Sequence, residues 1–156
     1  MTNIQIRPAR PDDADGMSAV LKAIIDLTGR QRAFDAAHVR EIYIDNPRRI
    51  ACSVATIEGE IVGFQSLTIA HADNIYGVTP GWGIIGTHIS PKAFRKGVGK
   101  ALFAVSREAA LNAGLTDIDA SIMANNDMGL AYYDAIGFRS YRTTDTRICK
   151  RYRLVV

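Results

Sequence analysis

The chain is 156 residues long, 47% hydrophobic and 22% charged, with a formal net charge of +3 and a pI of about 9.0. That is ample apolar material for a single domain spanning 1–156, and no apolar run reaches the roughly 20 residues a membrane span requires, so neither a disordered chain nor a membrane partner is expected. Acidic residues are interspersed with basic ones through most of the sequence, which leaves no basic stripe with interleaved aromatics and excludes a nucleic-acid partner.

In chain order, the first eight residues lack the apolar h-region of a signal peptide, and Ile4, Gln5 and Ile6 predict a short strand ended by Pro8. Asp12 or Asp13 can cap a helix in which Ala14, Met17, Leu21, Ile24 and Thr28 share one face and which stops at Gly29. Asp35 can cap a second helix through Val39, Ile42 and Tyr43, ended by Pro47. Residues 50–57 and 61–70, joined by Glu58-Gly59-Glu60, predict a β-hairpin, and 71–81, with Asp73-Asn74, Gly77 and Pro80, predict a loop. Tyr43, Tyr76, Trp82 and Arg30 are available to line a pocket beside these elements, with packing or solvation as the alternative for each.

Residues 82–89 form a short, β-branched apolar run closed by Ser90-Pro91, which reads as a buried strand. Phe94-Arg95-Lys96-Gly97-Val98-Gly99-Lys100 follows, after which Val98, Ala101, Leu102, Val105 and Ala109 recur at helical spacing as far as Gly114. A helix entered through such a turn offers unpartnered amides and the positive end of its dipole to an anion, and the basic side chains add charge. The turn therefore reads as a seat for phosphate or pyrophosphate, although a solvated glycine loop explains the turn alone equally well. Two common seats are excluded by spacing. Leu102 stands where a dinucleotide fingerprint needs a third small residue, and Ala101 stands where a Walker A loop needs Ser or Thr.

Ile118, Ala120 and Ile122 then alternate in a strand over 116–123, a short helix covers 128–135, and strands near 138–142 and over 147–155 close the chain. Arg139, Arg142, Arg147, Lys150, Arg151 and Arg153 cluster at this end, as a solvated strand face or as a surface preferring acidic partners. Cys52 and Cys149 lie far apart without CxxC spacing, so free buried thiols in a reducing, cytoplasmic compartment are expected. No His/Cys/carboxylate cluster has metal-ligand spacing, and no metal is expected.

A second motif resolves how the basic turn is read. Asn126 is followed by Gly129 three places on, Tyr133 seven places on, and Gly137-Phe138 at eleven and twelve. Together with Pro91, Gly97 and Gly99 of the turn, this ordered pair resembles the Gcn5-related N-acetyltransferase (GNAT) family, over essentially the whole chain. The resemblance implies an α/β (mixed α+β sheet) fold: a single GNAT-type domain whose central, mostly antiparallel sheet contains a parallel pair that diverges, flanked by about four helices. The chain departs from the family at Phe94, where Arg or Gln is usual, and at Arg95, where a small residue is usual. The Ile-Arg-Pro-Ala opening and the hairpin resemble the branch that includes phosphinothricin acetyltransferases, which act on small amines or amino-acid-like compounds.

The resemblance further implies acetyl-CoA as cosubstrate and transfer of its acetyl group to a primary amine of a small molecule, directly, in a ternary complex. A protein or peptide N-acetyltransferase and a non-catalytic CoA-binding sensor module are the alternative functions. On this resemblance the amides of Lys96, Gly97, Val98, Gly99 and Lys100, beside the Arg95 side chain, seat the pyrophosphate, and the pantetheine pairs with the edge at Thr87 and Ile89. The Ile89 N–H faces the acetyl oxygen, Asn126 contacts the CoA arm, and Tyr133 matches the general acid for the departing thiolate. A phenol of pKa about 10 is protonated at neutral pH and can serve. Tyr132, on a different face, takes the packing role. Many relatives place a Glu base on the central strand, but 82–90 contains no carboxylate. Its only titratable side chain is His88, whose ordinary pKa of about 6.5 suits a base, with a relayed water as the alternative. The first two helices and the 71–81 loop lie on the acceptor side, and a homodimer through the C-terminal strands is usual for the family.

Overall fold

In the computed structural model, which describes residues 3–154, β1 (Ile4–Pro8), α1 (Ala14–Thr28), α2 (Ala36–Val39), β2 (Arg49–Ile57), β3 (Glu60–Ile69) and β4 (Gly83–Ile89) come first. They are followed by α3 (Val98–Asn112), β5 (Asp117–Met123), α4 (Asp127–Ala135), β6 (Arg139–Thr143) and β7 (Arg147–Arg153). The predicted reach of the last strand to Val155 lies outside the described residues. All seven strands join one sheet of order β1-β2-β3-β4-β5-β7-β6, antiparallel except for the β4–β5 pair.

Two of the expected breaks are observed, but the expected caps are not, since Asp13 and Asp35 stand at the N-cap positions without a side-chain cap hydrogen bond. Gly29 ends α1 in the left-handed conformation, φ 73°. Glu58 and Gly59 both take positive φ between β2 and β3, the geometry of a two-residue turn whose twist matches the strands it joins. The second helix differs. It is α-helical only over Ala36–Val39 and then widens into a π-type turn over Arg40–Ile44. The wider turn brings Val39, Tyr43 and Ile44 to the buried side together and leaves Ile42 exposed, which a strict helical period does not do.

The helices cover the sheet on both faces. From α1 and α2, Met17, Val20, Leu21, Val39 and Tyr43 pack on Cys52, Val54 and Phe64. On the opposite face Val98 and Leu102 of α3 meet Ala55 and Val62, while Phe103, Tyr133 and Phe138 pack with Leu67, Ile85, Ile118 and Ile122. Both cysteines are buried free thiols. Among the described residues no helix is long and apolar enough to cross a membrane, and no group of His, Cys, Asp and Glu is clustered as metal ligands.

Of the basic residues at the C-terminal end, Arg139 and Arg153 are exposed, whereas partners remote in sequence hold the other four. Lys150 is buried with its Nζ 2.5 Å from Asp134, and Arg151 donates to Asp117 at 2.7 Å while its guanidinium lies over Trp82. Arg142 donates to the Tyr76 carbonyl, and Arg147 to that of Ser121. Trp82 packs against Tyr141 and Arg151, the packing alternative rather than a pocket wall.

One anchor sets the approach of α1. Arg7 of β1 donates to both carboxylate oxygens of Asp13, at 2.7 and 2.8 Å, and the Arg10 amide donates to the same group at 2.7 Å. Hydrogen bonds from Arg7 hold the Asp13 carboxyl below its ordinary value against the opposing effect of burial. A depressed carboxyl stabilises the fold above its unfolded pKa, and that contribution is lost as pH falls through the lower folded value. Asp13→Ala is therefore expected to cost about 1–3 kcal/mol at neutral pH, with the gap to wild type closing below about pH 4. Thermal melts of the two proteins from pH 3 to pH 7 measure this, and a gap independent of pH rejects the ion pair as the anchor.

Candidate active site

The chemistry collects where two parallel strands part. β4 and β5 pair only at Gly83 with Ile118 and Ile84 with Asp119, and beyond those two pairs they separate. Ser90 N–H donates to the Val62 carbonyl on β3, so strand alternation turns the main-chain N–H groups of Thr87 and Ile89 the other way, toward the gap. A groove of about 1240 Å³ runs through this gap and is lined from both faces of the sheet. Of the expected site residues it brings together Thr87, His88, Ile89, Arg95, Gly97, Val98, Gly99, Lys100, Asn126 and Tyr133. Lys96 is not part of its wall.

The basic turn leads into α3 through Arg95 and Gly97, both left-handed, at φ 62° and 84°. The helical ladder begins with Ala101 N–H donating to the Gly97 carbonyl, so the amides of Val98, Gly99 and Lys100 stand ahead of it, and no acceptor among the described residues meets them. A Cβ on Gly97 would meet nothing within 4 Å, so the turn opens onto free space. Free amides, the positive helix end and a cavity beside them fit a pyrophosphate. Arg95 carries a Cβ in the left-handed region, which glycine alone adopts without strain.

Gly99 has a different reason to be glycine. A Cβ there would lie 2.4 Å from the Tyr132 ring, so it is α4 rather than an anion that demands the missing side chain. Tyr132 is accordingly more than packing. Its hydroxyl donates to the Gly99 carbonyl at 2.8 Å and accepts from Gln65 Nε2 at 3.0 Å, tying the start of α3 to β3. The same Gln65 Nε2 donates to Thr87 Oγ1 at 2.9 Å, and Thr87 Oγ1 lies 2.8 Å from the Tyr133 hydroxyl. Burial pushes Tyr132 up to about 12 and Tyr133 beyond the ordinary phenol range, so both are protonated at neutral pH. Gln65, fully buried, escaped the sequence reading, although Gln65-Ser66 is a polar pair inside an apolar strand.

The second motif has a local mechanism. Asn126 Oδ1 accepts from the Gly129 N–H at 3.0 Å and caps α4, and a Cβ on Gly129 would lie 2.5 Å from the Asn126 amide, which is why a small residue stands three places on. Gly137, φ 109°, then turns the chain so that Phe138 N–H donates to the Tyr133 carbonyl and its ring enters the core.

His88 lies on the α1–α2 face of β4, with its ring 4.8 Å from Phe64 and 5.5 Å from Tyr43. Burial, then the charges of Arg32 and His38, lower it to about 3, so it is neutral at pH 7 but a poor proton acceptor. Arg32 Nη2 donates to the Tyr43 hydroxyl at 2.8 Å, and that hydroxyl in turn lies 3.4 Å from His88 Nε2. The Nε2 of the expected base is thus already in contact with the Tyr43 hydroxyl. Of the alternatives open for Tyr43, Tyr76 and Arg30, the pocket holds, since all three line the groove.

The profile of the acetyltransferase (GNAT) family matches residues 21–138. Comparison with curated proteins finds no match. Among solved structures, yncA of Salmonella typhimurium, assigned as an acetyltransferase and holding its cofactor acetyl-CoA, superposes with a TM-score of 0.78 at 15% identity over 97% of this chain and 94% of that one. A protein assigned as a phosphinothricin N-acetyltransferase gives 0.78 at 18% identity over 99% of this chain and all 100% of that one. PaiA N-acetyltransferase of Thermoplasma acidophilum, in complex with coenzyme A, gives 0.76 at 17% identity over 97% and 99%. These likenesses establish the mixed seven-stranded fold with one parallel pair.

The two glycine-dependent positions respond oppositely to substitution. Arg95→Gly removes left-handed strain of about 1 kcal/mol and is expected to raise the melting temperature by a few degrees. Gly99→Ala drives a methyl group into the Tyr132 ring and is expected to lower stability by about 1–3 kcal/mol. Calorimetric melts of both variants test this, and a neutral Gly99→Ala rejects the α3–α4 contact.

Proposed function

We propose that this chain, which belongs to the GNAT acetyltransferase family, moves an acetyl group from acetyl-CoA to the primary amine of a small molecule by direct transfer in a ternary complex. The observation that carries the reading is the single groove passing between β4 and β5 and lined from both faces, which lets two substrates approach from opposite sides and meet at the strand gap. The acceptor arm is walled by Leu21, Ile24, Ile42 and Tyr43, a slot better suited to a compact amine than to an extended peptide. The whole of 1–156 acts as one such domain. The buried, unpaired thiols Cys52 and Cys149 suit a reducing cytoplasm.

Acetyl-CoA supplies the acetyl group as an activated thioester. The chain's part is to bind, orient and move protons. The amides of Val98, Gly99 and Lys100 and the charges of Arg95 and Lys100 hold the pyrophosphate. The N–H groups of Thr87 and Ile89 align the extended arm, with Ile89 N–H directed at the carbonyl oxygen as charge develops there. As the amine nitrogen bonds to the carbonyl carbon and the carbon–sulfur bond breaks, Tyr133 gives its proton to sulfur, held on line by Thr87 and Gln65. The ammonium proton of the acceptor leaves to water, since His88 is too weak a base and is engaged by Tyr43.

Tyr133→Phe keeps the ring and removes the proton. The expected result is a fall in kcat of roughly tenfold to a few hundredfold, with acetyl-CoA affinity and melting temperature nearly unchanged. Turnover at the wild-type rate, or loss of activity only through unfolding, rejects the assignment. In wild type, kcat/KM rises with pH as the acceptor ammonium loses its proton, and the same limb should persist in His88→Gln. Disappearance of that limb in the variant returns the base role to His88.

A further inference from the structure

We propose that Asp119 of β5, acting through the Ser121 hydroxyl, collects the proton that the acceptor amine sheds into the groove. The inference rests on the acetyl-transfer reading and completes its proton path. Its first support is position. Side chains alternate along a strand, and the Ile84–Asp119 pair puts Ile84, Gly86 and His88 of β4 on the same sheet face as Asp119 and Ser121 of β5. His88 pairs with Phe64, so this is the face covered by α1 and α2, the proposed acceptor side. Asp119 stands at the last paired position, and Ser121 is the first side chain on this face past the split. Ser121 lines the groove. A Cβ on Gly86, across the split, would touch only Ser66 Oγ and His88 Nε2, so nothing from β5 crowds the space between.

The second support is how Asp119 is held. It is 0% exposed, yet forms no ion pair with a described cation. Two hydroxyls solvate it instead. Ser121 Oγ donates to Oδ2 at 2.8 Å, and the Tyr141 hydroxyl donates to Oδ1 at 2.6 Å. β6 shifts register against β7 between Ser140 and Arg142, which leaves Tyr141 unpaired, and its side chain reaches past β7 to β5. An amide at 119 would tie the same strands without burying a charge, so the carboxylate asks for a reason beyond the sheet.

Its surroundings leave that carboxylate able to take a proton. Burial raises Asp119 above its ordinary value, against the hydrogen bonds from Tyr141 and Ser121 and the charge of Arg142. Arg151, opposite it on β7, is engaged by Asp117 and Trp82. Arg147 donates to the Ser121 carbonyl, and Cys149 Sγ lies 3.6 Å from the Ser121 hydroxyl. From α4 comes Tyr133, whose phenol is raised by burial, then by Tyr132 and Asp119. The relay balances. The ammonium N–H bond breaks, its electron pair stays on nitrogen to attack the carbonyl carbon, and water carries the proton to Ser121 Oγ. The Ser121 hydroxyl proton passes along its hydrogen bond to Asp119 Oδ2, and the carboxyl returns it to solvent by the same route once the product leaves.

The test screens CoA release by the full chain with acetyl-CoA on benzylamine, phenethylamine, phenylalanine methyl ester and spermidine, then follows kcat against pH on the best of them. On the acid side wild-type kcat is expected to fall through two ionisations, the acceptor's own and that of Asp119. Asp119→Asn should lower kcat at neutral pH by roughly tenfold to a hundredfold, leave KM for acetyl-CoA unchanged and retain only the acceptor's ionisation. Ser121→Ala should cost as much, and the double variant no more than either alone. Tyr141→Phe removes a donor to the charge and should move the Asp119 ionisation to higher pH. Wild-type kcat in Asp119→Asn, a second ionisation that survives there, or additive losses in the double variant overturns the proposal while leaving acetyl transfer standing. Should Asp119→Asn fail to fold, Ser121→Ala and Tyr141→Phe decide: wild-type kcat in the first and an unmoved pH profile in the second overturn the relay. If no amine releases CoA, the transfer reading fails and the relay falls with it.

Discussion

Everything in the site depends on two strands that begin paired and cannot stay so. β5 is committed along its length to β7, from Asp117 with Arg153 to Met123 with Arg147, and β4 is equally committed to β3. Parallel pairing between them lasts two residues, after which the N–H groups of Thr87 and Ile89 face a gap. Exposed strand groups require partners, and a sheet interior that lacks them is a built-in slot for an extended ligand. The two tyrosines of α4 keep the slot in shape, since Tyr133 reaches Thr87 while Tyr132 reaches Gln65 and Gly99. On the proposed reading, the Tyr133 hydroxyl that helps brace the gap is also the one that faces the reacting atoms.

This coupling changes what the family motifs mean physically. The glycine at 99 serves the ring of Tyr132, the Asn126–Gly129 spacing serves a helix cap, and Gly137 serves the burial of Phe138. Each is an architectural demand. A match to the motif register thus speaks to the frame, and the proposed chemistry rests on what the frame brings together: amides ahead of α3, strand N–H groups in the gap, and a protonated phenol beside Thr87.

What was legible in the sequence was what depends on neighbours in the chain. The stop at Gly29, the Glu58-Gly59 turn, the central strand and the entry to α3 all follow from local conformational preference and periodicity. What was hidden depends on residues far apart in sequence. The C-terminal cations looked solvated because Asp117, Asp134 and Trp82 become their partners only after the sheet closes. Tyr132 looked like filler because Gly99 and Gln65 lie on other elements. His88 looked like a base because an ordinary imidazole titrates near neutrality, and only the packing of Phe64 and Tyr43 with the charge of Arg32 shows otherwise. The widened turn after Val39 escaped notice because a helical period and a π-type turn differ by one residue in which side chains point inward.

The electrostatics of the groove have a consequence for how the two arms work together. A cationic wall is what a pyrophosphate needs, and Arg95 and Lys100 supply it on the α3 side. An amine arriving as an ammonium ion, however, is repelled by such a wall, and the acceptor arm is cationic as well. Two escapes exist: the acceptor brings a negative charge of its own, or it sheds its proton on entry. Arg32, whose guanidinium donates to the Tyr43 hydroxyl beside His88, disfavours a second positive charge there and so bears on the second of these. The absence of a carboxylate from β4 and the neutrality of the buried His88 agree with the proposed loss of the acceptor's proton to water.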